Sequence, residues 1–303
     1  MRYRRLWVSL AIVIIGSLAV LGYYGWEIYQ TAPPVPKRVV TTDGKLVFTG
    51  EEIKDGQNVW QSMGGQEVGS VWGHGAYVAP DWSADWLHRE LVYILDHWAM
   101  QENGKAYEAL DAPTQAAMRE RLKQEIRRNT YNPTTGDLVV SPTRAGAIGA
   151  VGQHYKGLFM NAPELAGLRD AYAIPANTIK DPHRADLMNA FFFWAAWACA
   201  TERPGSTVTY TQNWPSEPLI DNIPTGSIIV WSVISFVLLL AGVGALAWYF
   251  AVMRAKEGGE HTEPPTSDPL IGFSPTPSMQ ATLKYFWIVT LLVVVQIGLG
   301  AVA

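Results

Sequence analysis

Three long apolar runs stand out in the pattern of hydrophobic and polar positions along the chain. Residues 6–26, 226–253 and 285–303 contain no Asp, Glu, Lys or Arg. A helix of about 20 apolar residues crosses the hydrocarbon layer of a bilayer, so the pattern predicts three transmembrane helices. The third run is barely long enough to span, and no polar flank follows it. We therefore expect residues 285–303 to be the start of a membrane bundle that is truncated in this chain.

The distribution of positive charge predicts how these helices are oriented. Three arginines lie within residues 1–5, and positive side chains flank both ends of the segment 254–284. Loops rich in Lys and Arg stay in the cytoplasm, which places residues 1–5 and the linker 254–284 there. The intervening domain, residues 33–224, then lies outside.

The first apolar run is interpreted as an uncleaved anchor. A secretory signal peptide needs a small-residue cleavage site after a shorter apolar core. Here the run ends in Tyr23, Tyr24 and Trp26, which are typical of the aromatic belt at a membrane interface. We therefore expect the helix to remain attached to the domain that follows it.

Helical periodicity dominates the outer domain. Apolar residues recur on one helix face over residues 83–103 and again over residues 111–128. A third helix is predicted to begin at Asp181-Pro182, as a cap followed by a first-turn proline. Its uncharged centre, residues 190–200, is too short to cross a bilayer and is predicted to be a buried helix.

A tight turn indicates strand structure ahead of these helices. Asp43-Gly44 lies between two β-prone runs within residues 39–49, a strong hairpin signal. The outer domain is therefore predicted to be mostly helical, with one or two small β-hairpins.

Composition then excludes several classes of protein. The chain is 49% apolar and 17% charged, with a formal net charge of −4, which does not fit a strongly basic nucleic-acid binder. The single cysteine, Cys199, excludes an internal disulfide framework, a cysteine-cluster metal site and a Cys-x-x-Cys-His haem attachment. Because Cys199 lies in the apolar third helix, we expect a buried, inert thiol.

The histidines and basic residues have plain interpretations. His88 and His97 lie nine residues apart, on opposite faces of one helix, which argues against joint metal binding. The outer histidines are interpreted as surface or locally hydrogen-bonded residues. A basic row on the second predicted helix is interleaved with glutamates and is interpreted as a solvated, ion-paired face; it consists of Arg119, Arg121, Lys123, Arg127 and Arg128.

Two stretches are more unusual. Residues 72–82 combine glycines, aromatic residues and Asp81. Such a backbone can approach a ligand closely and offer carbonyl oxygens to a hard cation, although composition alone favours a packed loop. Residues 210–226 form an aromatic, proline-rich lead into the second apolar run, suited to lie on the membrane surface.

Long motifs in these stretches resemble the quinol-dependent nitric oxide reductases of the haem–copper oxidase superfamily. They are WQSMGGQEVGSVWGHGAYVAPDWSADWLHRE early in the outer domain, FWAAW in the third helix and TYTQNWPSEP before the second apolar run. The resemblance covers essentially the whole chain and matches the amino-terminal part of the family. It implies a mainly α protein of the bacterial inner membrane, with a periplasmic domain that is cytochrome c-like but lacks haem c.

The resemblance also implies an activity and a set of cofactors. Members of the family reduce two NO to N2O and H2O with two electrons from quinol and two protons, using haem b, haem b3 and non-haem iron. In related enzymes a calcium ion that bridges the haem propionates lies at a Gly-Ala-Tyr turn. The matching positions here are Gly75 and Tyr77, which the resemblance assigns as calcium ligands. The implied partners are membrane lipid, quinol, NO and the remaining catalytic bundle, with no nucleic acid.

One departure limits what this chain is expected to do alone. The family's haem and iron ligands lie on later spans, and the only histidine within residues 226–303 is His261, in the linker. No catalytic residue is therefore expected in this chain, and it is not expected to reduce NO alone. Either the chain is a piece of a reductase or a second chain supplies the bundle; the alternative is a noncatalytic membrane-anchored docking or assembly module.

Overall fold

A computed structural model of the chain describes residues 2–73 and 79–256, together with scattered positions between 280 and 295. The chain divides into two compact units. One, the outer unit, is Pro33–Ser232, and the other comprises the described parts of Met1–Ala32 and Val233–Ala303.

Two long apolar helices account for the first two predicted spans. Helix α1 covers Arg2–Thr31 and helix α8 covers Gly226–Lys256. Within them, Trp7–Thr31 and Ile229–Met253 are long and apolar enough to cross a membrane, and the side chains there are exposed. Exposed apolar surface on this scale is unfavourable in water, so both helices are compatible with a membrane protein.

Helix α1 is longer than the apolar run within it. The run ends at Trp26, but the helix continues to Thr31, whose hydroxyl donates to the Glu27 carbonyl at 2.9 Å. Pro33 and Pro34 then stop the helix, because proline disfavours helical backbone in the residue before it.

The third predicted span stays a prediction. The described positions between 280 and 295 are helical, but most of residues 285–303 lie outside the described residues. Residues 257–279 of the predicted linker lie outside them as well.

The predicted hairpin forms at the start of the outer unit. Strands β1 (Arg38–Thr41) and β2 (Leu46–Thr49) pair antiparallel. Gly44 has a φ of 85°, and its amide donates to the Thr41 carbonyl at 2.9 Å. Glycine adopts this backbone conformation without steric cost, which confirms the turn expected at Asp43-Gly44.

A second hairpin joins the first to make one sheet. Strands β3 (Tyr131–Asn132) and β4 (Asp137–Val140) pair antiparallel, and β4 pairs parallel with β1. The strand order is therefore β2-β1-β4-β3. The guanidinium of Arg38 donates two hydrogen bonds of 2.9 Å to Asp137 across the parallel pair. The sequence pattern did not predict this pairing.

The three predicted outer helices are present, each with an aspartate cap. Helix α3 covers Trp82–Asn103 and ends at Gly104 in left-handed conformation. Helix α4 covers Ala112–Arg127, and helix α7 covers Pro182–Ala200. A capping side chain accepts a hydrogen bond from a first-turn backbone amide that has no partner within the helix. This explains why these helices begin at their aspartates.

Three further helices complete the outer unit. Helix α2 (Gly50–Ser62) begins with a capping box in which Thr49 and Glu52 bond reciprocally. Helix α5 covers Pro142–Phe159, and the short helix α6 covers Ala166–Ala171. The periodicity predicted a mostly helical domain but did not place these helices individually.

Helix α7 runs through the centre of the outer unit and packs against α2, α3 and α5. Within residues 190–200 every side chain except Trp194 is buried, which confirms the predicted buried helix. The backbones of α2 and α7 approach closely at Gly56, where any Cβ would collide with the Leu187 carbonyl. The largest fully buried aromatic side chains lie on α7 or on α3 and α5, which pack against it; they are Trp82, Trp86, Tyr155, Phe159, Phe192, Phe193 and Trp197.

Candidate functional site

Asp81 bonds to residues that precede the segment 74–78, and we call Ser70, Gly73 and Asp81 the loop base. Its carboxylate accepts hydrogen bonds from the Ser70 hydroxyl at 2.8 Å and from the Gly73 amide at 2.6 Å. As the N-cap of α3, it also accepts the Ala84 amide at 3.0 Å. The same side chain therefore starts α3 and holds the residues before the segment 74–78.

The predicted calcium ligands belong to the segment 74–78. Gly75 and Tyr77 belong to residues 74–78, which are outside the described residues, so their assignment stays a prediction. Among the described residues, no group of three His, Cys, Asp or Glu side chains could hold a metal ion. Asp81 already accepts several hydrogen bonds, which suits positioning of the loop better than metal binding.

A tryptophan from the segment before α8 packs against the loop base. Trp72 and Gly73 both have positive φ, at 56° and 80°. A Cβ on Gly73 would collide with the Trp214 indole nitrogen. On the other side, the Trp72 indole donates to the Ala195 carbonyl of α7 at 2.9 Å. Trp72 and Gly73 thus lie between α7 and the segment that leads to α8.

Arg127 donates hydrogen bonds to three residues of the segment between α7 and α8. Its Nε donates to Glu202 at 3.0 Å, its Nη1 to the Asn222 amide oxygen at 2.9 Å, and its Nη2 to the Thr207 carbonyl at 2.9 Å. The side chain is only 9% exposed. The interpretation of Arg127 as part of a solvated basic face is therefore wrong, because acceptors distant in sequence satisfy its guanidinium inside the domain.

A buried ion pair lies in the core beside an indole. Arg144 Nε donates to Glu90 Oε1 at 2.6 Å, and Trp86 Nε1 donates to Glu90 Oε2 at 3.1 Å. The Glu90 side chain is 0% exposed and that of Arg144 is 4% exposed. We call Trp86, Glu90 and Arg144 the Glu90 triad. Charges buried this deeply persist only with close partners.

A second triad repeats this arrangement with a phenol. Asp85 Oδ2 accepts the Tyr155 hydroxyl at 2.6 Å and Arg89 Nε at 2.8 Å. Tyr155 is completely buried, and burial, reinforced by the Asp85 charge, raises its pKa well above the ordinary value. Tyr155, Asp85 and Arg89 form the Asp85 triad, in which a neutral phenol faces a carboxylate held by an arginine.

Sequence reasoning missed both triads, although one signal pointed to the first. Glu90 follows Trp82 and Trp86 at intervals of four, so it lies on the apolar face of α3. An acidic residue at such a position requires a buried partner. Nothing in the local pattern identifies that partner as Arg144, 54 residues away.

The described histidines lie in separate places. His88 Nδ1 lies 3.0 Å from Glu217 Oε2, and the His97 ring stacks on Tyr93. His154 is half-buried, and its Nε2 atom has no partner in the described structure. Burial lowers the pKa of His154, and the nearby Arg89 charge lowers it further.

The cysteine is buried, as predicted. Cys199 is free and completely inside the domain. Burial raises the pKa of its thiol far above the ordinary value, which keeps it protonated and unreactive.

With this geometry established, comparison with known families identifies the outer unit. Residues 36–216 match the family model for the cytochrome c-like domain of NorB, a nitric oxide reductase component. The match covers more than half of the chain and includes the loop base, both triads and most of the Arg127 network. Comparison with curated proteins gives no match.

Proposed function

Since the chain belongs to the NorB family of nitric oxide reductases through its cytochrome c-like domain, we propose that it is the amino-terminal part of a quinol-dependent nitric oxide reductase. The complete enzyme converts two NO and one quinol into N2O, H2O and quinone. The quinol supplies both electrons and both protons, so the reaction balances without a further donor.

The observation that carries the quinol assignment is the combination of a cytochrome c-like domain with one cysteine. Covalent haem c needs two thiols in a Cys-x-x-Cys-His motif, and the matched domain contains only Cys199, which is buried in α7. Large aromatic side chains fill the interior of this domain. These features support electron transfer to the enzyme without a haem c. A membrane quinol is the electron donor that the family resemblance suggests.

The residues present do not fit the iron cofactors that the resemblance implies. Haem b, haem b3 and non-haem iron take histidine and carboxylate ligands, and the described residues contain no cluster of three such groups. His261, the only histidine of residues 226–303, lies outside the described residues. We therefore propose that further sequence, continuous with this chain or on a second chain, supplies the catalytic bundle.

Calcium is the one ion to which this chain is proposed to contribute. Calcium takes oxygen ligands, including backbone carbonyls, and Gly75 and Tyr77 lie in a glycine-rich loop whose base Asp81 fixes. The role proposed for the described residues is to hold this loop in place. The ions and haems themselves are proposed for the complete enzyme.

The proposed location is the bacterial inner membrane, with the amino terminus in the cytoplasm and the outer unit in the periplasm. Two apolar helices support membrane insertion, and the arginines within residues 1–5 support this orientation.

The test compares this chain alone with the chain joined to its catalytic bundle. NO consumption by purified protein is followed with an electrode, with either a quinol or reduced cytochrome c as donor. We expect turnover only in the complete enzyme and only with quinol, and no haem bound covalently to this chain. Turnover supported by cytochrome c but not quinol contradicts the assignment. A complete protein that binds no haem and consumes no NO favours the docking or assembly module instead.

A further inference from the structure

Trp86 and Tyr155 are stacked redox-active rings, and each donates a hydrogen bond to a carboxylate. Their centroids lie 5.3 Å apart with the rings inclined by 10°. The Trp86 indole donates to Glu90 and the Tyr155 phenol to Asp85. Packing alone explains the stacking of aromatic rings. It does not explain why each of these two rings faces a base that can accept its proton.

A third redox-active ring connects Tyr155 to the edge of the domain. Trp82 contacts Tyr155 with a centroid separation of 5.8 Å and contacts Tyr172 at 6.1 Å, both edge to face. Trp82 is completely buried, whereas Tyr172 is only partly buried. Trp86, Tyr155, Trp82 and Tyr172 therefore form a continuous series of contacting rings from the core toward solvent, which we call the aromatic chain.

The members of the aromatic chain differ in whether a proton can leave. The Trp82 Nε1 atom is buried and has no hydrogen-bond partner in the described structure, so an oxidised Trp82 has no acceptor for its proton among the described residues. Tyr155 donates to the Asp85 carboxylate at 2.6 Å. Loss of an electron makes a phenol strongly acidic, and a carboxylate at hydrogen-bond distance then receives the proton.

We propose that Tyr155 is a site of reversible one-electron oxidation, with Asp85 as its proton acceptor and Trp82 and Tyr172 as the route for the electron. The reactant is a strong one-electron oxidant at the surface, such as the nitrogen dioxide radical. One electron passes from Tyr155 to the oxidant, which is reduced to its anion. The phenolic O–H bond breaks, its proton protonates Asp85, and a neutral tyrosyl radical remains.

The surroundings of Tyr155 favour a neutral radical over a charged intermediate. Burial raises the pKa of Tyr155, so the phenol stays protonated until the electron leaves. Arg89 holds the Asp85 carboxylate at 2.8 Å and keeps it aimed at the phenol. Reduction by any external donor returns the proton from Asp85. This activity would give the domain a means of discharging oxidants without damage to its core, and it does not depend on NO reduction.

The test uses the full chain in detergent with a ruthenium tris-bipyridine photosensitiser and persulfate as the oxidant. Samples are frozen after a light flash and examined by electron paramagnetic resonance, with ring-deuterated tyrosine to distinguish tyrosyl from tryptophanyl radicals. The wild-type chain should give a neutral tyrosyl signal. Tyr155→Phe should lower the tyrosyl yield, because Tyr172 is then the tyrosine that remains in the aromatic chain. Tyr131→Phe, which changes a tyrosine of β3 outside the aromatic chain, should leave the signal unchanged.

Asp85 variants separate proton acceptance from packing. Asp85→Asn keeps a hydrogen-bond acceptor but removes the base, so the tyrosyl yield should fall, and Asp85→Glu should restore it. Circular dichroism establishes that each variant is folded, and the Asp85 pair keeps the test decisive where Tyr155→Phe does not fold. A tyrosyl yield that is undiminished in Tyr155→Phe, or one of equal yield in Asp85→Asn, overturns the proposal.

Discussion

Gly73 lies against the indole of Trp214 so closely that no side chain fits between them. Gly73 also has a φ of 80°, so both its backbone conformation and its surroundings require glycine. Its amide donates to Asp81. This contact joins the loop base to the segment that leads into α8, so a side chain at position 73 should disturb both.

Gly73→Ala should destabilise the outer unit more than an equally strained substitution elsewhere. Gly205 has a similar φ of 73° but open space around it, so Gly205→Ala measures the backbone strain alone, about 1–2 kcal/mol. Gly73→Ala adds the clash with Trp214, about 1–3 kcal/mol more. Urea unfolding followed by circular dichroism compares the two. Equal losses would mean that Trp214 moves aside freely.

The Glu90 triad predicts a large asymmetry between single and double variants. Glu90→Leu leaves the buried Arg144 guanidinium without its carboxylate and should cost about 3–5 kcal/mol. The double variant Glu90→Leu/Arg144→Met removes both charges and should recover most of that loss. The exposed pair Arg121–Glu102 is the control, since Glu102→Ala should change stability by at most about 1 kcal/mol. A double variant no more stable than the single one would contradict this account.

His154 predicts that stability falls as the solution becomes acidic. Its pKa in the folded protein lies below the ordinary histidine value of 6.5, chiefly through burial. The unfolded chain then binds a proton at a higher pH than the folded chain does. The contribution of His154 is therefore fully present above that unfolded value and is lost as pH falls through it toward the folded pKa.

His154→Gln should weaken this pH dependence between about pH 7.5 and pH 5.5, the range in which histidine titrates. Urea unfolding midpoints at several pH values give the measurement. His183→Gln, which changes an exposed histidine, is the matched control and should retain the wild-type dependence. The same slope in wild type and His154→Gln would exclude His154 as its source.

The proposed calcium contact predicts a specific loss of metal from the complete enzyme. Gly75→Val should displace the turn and lower both calcium content and electron transfer, since a side chain there obstructs close backbone approach. Tyr77→Phe should be mild where the carbonyl is the ligand and severe where the phenol is. Elemental analysis of the purified enzyme measures calcium. Unchanged calcium content and normal activity in Gly75→Val would contradict the calcium contact and leave packing as the role of this segment.

The proposed orientation predicts which part of the chain a protease can reach. Protease added to intact spheroplasts should digest residues 33–224, because the proposed orientation places them outside the cytoplasmic membrane. An epitope placed at the amino terminus should remain protected until the membrane is opened. Protection of residues 33–224 in intact spheroplasts would reverse the orientation.

Much of the secondary structure followed from local signals. Asp181 caps α7 where a cap was predicted, and α4 begins after Asp111, the first residue of the predicted periodic segment. Asp43-Gly44 formed the expected turn. These signals succeed because a cap or a tight turn depends on backbone groups within a few residues. The predicted metal ligands Gly75 and Tyr77 rest on the family resemblance and stay a prediction.

The amino-acid sequence alone was therefore sufficient to predict the order of the apolar runs, the starts of the three predicted outer helices and the first hairpin. It also excluded a haem attached through two thiols. The parallel pairing of β1 with β4, where Arg38 meets Asp137 across 99 residues, emerged only in the folded domain. So did the burial of Arg127, which the charge pattern had placed in solvent. The physical reason is the same in each case. A polar group is stable inside a protein only when its partners are in place, and here those partners come from distant parts of the chain, which no local pattern of residues encodes.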